Sequence, residues 1–308
     1  MIRTEISITT WKLCSTALAI VLAGVLLVQP FTASLVYAQT VSLADEQVPL
    51  LATLATSSSV PPLPSASPQN IAIILLREKY KTDLSIYRTD ERDFALAKEQ
   101  FLKLQTLAAL EISVKATRKV MITRAIVLQD YTQILSLILK DTSGIDVGEK
   151  TALIQDLESM NDRLKLQQKI AEQAIDRESV LAASVDFAKI SVSMSILSYK
   201  SMSYISYGRL QTVHDKMLTV RDEVTVDLNA QESNGLKLGE KRRAIDEINR
   251  NLDTTKLALQ NVQKTFSPTQ FGSNVKFDSG SYPQTVQSLS TIYADLYRNL
   301  SFLREVIK

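Results

Sequence analysis

The fold is decided by residues 73–108, which read IILLREKYKTDLSIYRTDERDFALAKEQFLKLQTLA. Apolar side chains recur in this stretch every seven residues, and most of them are aromatic. The recurring residues are Ile73, Tyr80, Tyr87, Phe94, Phe101 and Ala108. A seven-residue repeat lines up its members along one stripe of an α-helix, and such stripes pack against other helices. The stretch therefore predicts a long helix within a coiled-coil-like bundle.

Beyond Ala108 the apolar stripe changes its spacing and continues, and we interpret the change as a stutter within one helix over 70–140. A polar turn at 141–144 precedes a second long helix, predicted over 147–230. The 3–4 spacing runs through residues 176–179, where a local break is the alternative. The predicted seam of this second helix includes Leu181, Val185, Ala188 and Val192.

Two shorter amphipathic patterns follow, over 238–266 and 284–308. Proline, which is excluded from helix interiors, does not occur between residues 69 and 267. We therefore predict an all-α fold for residues 70–308. It is an elongated antiparallel bundle, in which a hairpin of two long helices carries two shorter C-terminal helices.

The N-terminal residues have the layout of an export signal. Arg3 and Lys12 precede an uncharged run over 13–28, and Val36-Tyr37-Ala38 has the form of a signal-peptidase site. We predict a signal peptide over 1–38, followed by a Pro/Ser/Thr-rich linker over 39–69. The alternative is an uncleaved anchor, with residues 13–28 as a membrane tether. Either way the protein is exported, as a periplasmic, cell-surface or secreted protein.

Composition argues against several functional classes. A net charge of +2 gives no basic surface for nucleic acid, and one cysteine gives neither a disulfide framework nor a cysteine-ligated metal site. We expect no cofactor, no metal and no catalytic residue. His214, the only histidine, is expected at the surface or at the edge of a seam. Asp90, Glu91 and Asp93 are expected on a solvated helix face.

Two segments stand out as candidate contact sites. Residues 191–207 alternate serine with apolar residues and carry one charge, Lys200. Such a helix is either buried by several neighbours or used for self-association or a protein partner. The loop 267–283 carries aromatic residues among Gly, Ser and Pro, and it either caps the bundle or contacts a partner. The candidate contact residues are Tyr199, Tyr204, Tyr207, Phe271, Phe277 and Tyr282.

These features favour an exported, non-enzymatic structural or protein-interaction protein of the cell envelope or surface, of the scaffold or adhesion type. The alternative is a membrane-active helical protein, similar to a pore-forming toxin, that inserts residues 191–207 or the loop 267–283. Against that alternative, we expect no apolar stretch long enough to span a bilayer after residue 38.

The export signal makes the first testable prediction. Cleavage after Ala38 gives a mature chain that begins at Gln39, which N-terminal sequencing of the exported protein detects. A chain that retains residues 1–38 in the membrane fraction contradicts cleavage and indicates the anchored form.

Overall fold

The computed structural model describes residues 68–236, 238–266, 277 and 280–307. They belong to one compact unit, Pro68–Lys308. The predicted signal peptide over 1–38 and nearly all of the predicted linker over 39–69 lie outside the described residues.

The described residues form six α-helices and no β-strand, and the predicted all-α bundle is confirmed. The helices are α1 (Pro68–Leu104), α2 (Leu107–Asp141), α3 (Val147–Gln173), α4 (Arg177–Ser233), α5 (Gly239–Phe266) and α6 (Ser281–Ile307). With 57 residues, α4 is the longest of them, and it extends about 85 Å at 1.5 Å per residue.

The predicted continuous helix over 70–140 is wrong, because the chain reverses at Gln105. This residue has a left-handed backbone conformation, with φ at +50°, which ends α1. Thr106 then caps α2, since its hydroxyl accepts a hydrogen bond from the backbone N–H of Ala109 at 3.2 Å. The change of stripe spacing at Ala108 therefore marks a turn between two helices.

Ion pairs between the two helices show that they run antiparallel. Lys79 on α1 reaches Asp130 on α2 at 2.6 Å, and Asp90 on α1 reaches Lys119 on α2 at 2.7 Å. Residues closer to the C-terminus of α1 therefore pair with residues closer to the N-terminus of α2. Within the described chain, α1 packs against α2 alone.

The predicted helix over 147–230 also divides, at the site given above as the alternative. Asp176 caps α4 through a capping box with Ser179, in which each side chain accepts from the other's backbone N–H. Gln167 of α3 donates a hydrogen bond to the backbone carbonyl of Ala183 of α4 at 2.8 Å. Because this pair lies on both sides of the turn, α3 and α4 are antiparallel neighbours.

Helix α4 belongs to two helical bundles, which we call the first and the second bundle. Residues near its N-terminus, such as Phe187, pack with α2 and α3, whereas Tyr207 and His214 contact α5 and Tyr199 contacts α6. The first core contains Ala125, Leu128, Met160, Leu164, Phe187, Ile190 and Met194. The buried residues of the second bundle come from α4, α5 and α6 and include Leu210, Val213, Met217, Ile248, Leu252, Leu296 and Leu303. One helix therefore supplies part of the core of both bundles.

The two bundles meet where the loop between α2 and α3 lies against Gly208 of α4. A Cβ atom built on Gly208 would lie 2.6 Å from the carbonyl oxygen of Ser143 and 2.6 Å from Cγ1 of Ile145. A Cβ on Gly144 would lie 2.3 Å from the carbonyl oxygen of Gly208. Ser143 and Thr212 add a hydroxyl–hydroxyl hydrogen bond of 2.9 Å. Glycine is therefore required at both positions by close backbone approach.

We expect Gly208→Ala to lower the free energy of unfolding by about 1–3 kcal/mol, because the added methyl group must displace the loop backbone. Urea unfolding followed by circular dichroism measures the effect. Gly239→Ala is the matched control, since a Cβ there meets no atom within 4 Å. A loss at Gly208 no larger than that of the control would contradict the close contact.

Candidate interaction surfaces

The tyrosines of the segment 191–207 lie at the junction of the two bundles. Tyr204 and Tyr207 are buried, and the hydroxyl of Tyr207 donates to the side-chain oxygen of Gln263 on α5 at 3.1 Å. Tyr199 is half-buried and stacks on Tyr282 of α6, with the ring centroids 4.4 Å apart. Contact with another protein through Tyr204 or Tyr207 would require the helices to separate.

The serines of this segment are satisfied within α4 itself. Ser198, Ser201 and Ser203 are buried, and each hydroxyl donates to the backbone carbonyl four residues earlier. Their small side chains allow neighbouring helices to approach closely. This part of α4 is therefore buried by several neighbouring helices, which is one of the two alternatives given above for the segment.

The described aromatic residues of the loop 267–283 also face the bundle. Phe277 is buried, and Tyr282 lies in the first turn of α6, where it stacks on Tyr199. Phe271 lies outside the described residues. The candidate contact residues that the structure describes are therefore buried or half-buried.

The expectation that His214 lies at the surface or at a seam edge is wrong. The imidazole is buried between α4 and α5, and its Nε2 lies 3.1 Å from the carbonyl oxygen of Leu252. A carbonyl accepts only from a donor, so the proton is placed on Nε2. His214 thereby joins α4 to α5 at the centre of the second bundle.

The expectation of a solvated face is wrong for one of the three acidic residues. Asp90 is 2% exposed and faces α2, where it pairs with Lys119, whereas Glu91 and Asp93 are exposed. The second oxygen of Asp90 is buried without a hydrogen-bond partner in the structure. A buried carboxylate oxygen without a partner costs folding free energy, so this part of the α1–α2 contact stabilises the fold less than a fully paired carboxylate would.

A second buried carboxylate cluster joins the same two helices. Lys79 lies 2.9 Å from Asp83 and 2.6 Å from Asp130, which is buried on α2. Burial raises the pKa of Asp130, and a hydrogen bond with Asp83 raises it further against the opposing effect of Lys79. Burial also raises the pKa of Asp83, but hydrogen bonds from Lys79 and Asp130 outweigh it, so the net pKa lies below the usual value. Asp130 therefore takes up a proton before Asp83 on acidification.

This cluster joins α1 to α2. Among the described residues, no group of three or more His, Cys, Asp or Glu side chains is placed to hold a metal ion. An open groove between α2 and α3, lined by Ser136, Leu157 and Asn161, lies elsewhere.

An apolar stripe on α4 lies on the outside of the first bundle. Leu181, Val185 and Val192 are 61%, 51% and 64% exposed, and Ala188 between them is exposed as well. These four residues were predicted to lie in a core seam, and that prediction is wrong. The core uses a different face of α4, formed by Ala183, Phe187, Ile190 and Met194. We call the four exposed residues the α4 stripe.

The apolar character of α4 also corrects the expectation that no stretch after residue 38 is long enough to span a bilayer. Among the described helices, α4 alone has the length and composition to do so. Its most apolar window has a mean hydropathy of 1.6, and 28% of that window is buried. Most of this apolar window thus remains outside the core.

A second exposed apolar surface lies at the turn between α1 and α2. Leu102, Leu104 and Leu107 are 63%, 63% and 73% exposed, and Leu96 and Ile112 are more than half exposed. We call residues 94–115 the hairpin tip. Neither glycine nor proline marks this turn, so the sequence did not predict it. The signal that was missed is one leucine on each side of the polar pair Gln105-Thr106.

No protein family, no curated protein and no solved structure was found to match the chain. The α4 stripe and the hairpin tip are therefore interpreted from their own residues.

The carboxylate cluster makes a prediction about pH. Lys79→Met leaves Asp130 buried without its cation, and we expect a loss of about 1–3 kcal/mol of unfolding free energy near pH 7. Because pairing holds the pKa of Asp83 below its unfolded value, its contribution is present above about pH 4 and is lost as the pH falls. The loss should therefore be smaller near pH 3 than near pH 7.

Urea unfolding at the two pH values measures this difference. Lys81→Met is the matched control, because Lys81 pairs with Glu78 on an exposed face and its removal should change stability by less than about 0.5 kcal/mol. An equal loss for Lys79→Met at both pH values would show that the carboxylates are not involved.

Proposed function

We propose that this chain is an exported, non-enzymatic scaffold or adhesion-type protein of the cell envelope, and that it binds a helix of another polypeptide through the α4 stripe. The observation that carries the proposal is the spacing of the stripe. Leu181, Val185, Ala188 and Val192 are separated by four, three and four residues, which is the spacing of one side of a coiled-coil seam.

The energetics of the stripe favour a partner. Full burial of a valine or leucine side chain contributes about 1.5–3 kcal/mol, so covering side chains that are more than half exposed contributes roughly half of that each. Lys189 lies beside the stripe and pairs with Asp186 at 2.9 Å. An apolar centre with a charged border is the arrangement found in protein interfaces.

Attachment at the envelope would come from the N-terminal residues. An uncleaved run over 13–28 would tether the bundle to a membrane, and the proline-rich residues 39–69 would separate the two. Cleavage after Ala38 would release the same bundle into the periplasm or medium. Both forms present the α4 stripe.

A membrane-active function is the second candidate, and the hydropathy of α4 favours it. Insertion of residues 191–207 would break the stacking of Tyr199 on Tyr282 and expose Tyr204 and Tyr207. It therefore requires α4 to leave both bundles, whereas binding a helix on the α4 stripe leaves them intact.

Site-specific photocrosslinking in intact cells tests the proposal. We expect benzoylphenylalanine at position 185 or 192 to give a defined crosslinked species, because both positions lie within the interface. Position 226 is the control, since Val226 is an equally exposed valine of the same helix away from the stripe. Mass spectrometry of the product separates a second copy from a different protein.

A charge in the stripe provides the second comparison. Val185→Glu should abolish crosslinking from position 192, whereas Val226→Glu should leave it unchanged. Crosslinking that is equally strong from position 226, or absent from both stripe positions, would overturn the proposal.

A further inference from the structure

The hairpin tip projects beyond the rest of the first bundle. Val114 packs against the last core cluster at the turn between α3 and α4, and Arg118 donates hydrogen bonds to the backbone carbonyls of Ala171 and Glu172. Helix α2 begins seven residues before Val114, so about two helical turns, or roughly 10 Å, extend past this level. The tip is a free end of the described bundle.

The exposed leucines of the tip point in different directions, whereas the residues of the α4 stripe share one face of the helix. Leu102 and Leu104 are two residues apart on α1, which places them about 200° apart around the helix. Leu107 opens α2 on the other side of the turn and is the most exposed of the three. A stripe suits one partner helix, whereas exposed leucines that point in several directions suit a medium that contacts several sides at once.

Three of the backbone N–H groups at the turn are already hydrogen-bonded. The N–H of Gln105 donates to the carbonyl of Phe101 at 2.9 Å, and the N–H of Leu110 donates to the carbonyl of Thr106 at 3.0 Å. The hydroxyl of Thr106 accepts from Ala109. Backbone groups that are already paired lose less on leaving water.

The charges of the tip lie beside and between the leucines and are on balance positive, and the exposed Lys103 stands between Leu102 and Leu104. Residues 94–115 contain three lysines and two glutamates, a net charge of +1. Glu99 pairs with Lys103 at 2.6 Å, which leaves Lys98 and Lys115 against Glu111. Exposed lysines next to apolar side chains match the anionic headgroups next to the acyl layer of a bilayer.

We propose that the hairpin tip inserts shallowly into the surface of a phospholipid bilayer that contains anionic lipid, with Leu102, Leu104 and Leu107 among the acyl chains and Lys98 and Lys115 at the headgroups. Helix α4 stays in its bundles during this contact. The proposal uses a different surface from the α4 stripe, so each can fail without the other.

A fluorophore at single positions of the full chain tests it. In a Cys14→Ser background, Leu107→Cys carries the environment-sensitive dye NBD at the tip, and Val226→Cys carries it at an equally exposed site elsewhere. Vesicles of phosphatidylcholine with phosphatidylglycerol should increase the emission at position 107 several-fold and shift it to the blue. Position 226 should not respond, and vesicles of phosphatidylcholine alone should give a weaker response at position 107.

A second pair of variants connects the response to the leucines. Leu104→Glu should abolish the response at position 107, whereas Leu257→Glu, at a comparably exposed leucine of α5, should leave it intact. Circular dichroism checks that both variants remain helical.

Three results would overturn the proposal. The first is no response at position 107, and the second is an equal response at position 226, which indicates general adsorption. The third is an increase at position 107 that follows protein concentration without vesicles, which indicates that a second copy covers the tip.

Discussion

The arrangement of the whole bundle depends on the contact between two backbones at Gly144 and Gly208. This contact fixes the α2–α3 loop against the middle of α4, because neither position has room for a Cβ atom. The part of α4 near its N-terminus is thereby aligned with α2 and α3, whereas the part around Tyr207 and His214 packs with α5. The buried tyrosines of the segment 191–207 fill the space beside this contact.

Helix α1 is attached in a different way from the other five. Two core clusters of the first bundle contain residues of α2, α3 and α4, and α1 contributes to neither. Its contacts with α2 include two buried aspartates paired with half-exposed lysines, Asp90 with Lys119 and Asp130 with Lys79. Buried ion pairs specify position more than they stabilise, since desolvation offsets much of their attraction. They fix the register of α1 on α2, and this register determines which leucines reach the tip.

Periodicity in the sequence predicted the helices and much of the core. The apolar residues at 3–4 spacing in α3, which are Leu153, Leu157, Met160 and Leu164, are buried, and so are Ile245, Ile248 and Leu252 of α5. The turn at Gln105 was missed because its left-handed residue is a glutamine, whereas the usual signal is glycine. The α4 stripe was misplaced because α4 carries two overlapping apolar patterns of similar spacing, and only contacts in three dimensions show which one is covered. The candidate tyrosines of α4 lie between the two bundles, where packing within the chain accounts for them.

A helix that is shared by two cores also has a mechanical meaning. Tension or torque applied to α5 and α6 passes into α4 along a continuous series of backbone hydrogen bonds, with no linker to absorb it. A load at one end is therefore carried to the α3–α4 turn, beside the hairpin tip, some 85 Å away along the helix axis. Such a rod holds whatever is bound at its two ends at a fixed separation.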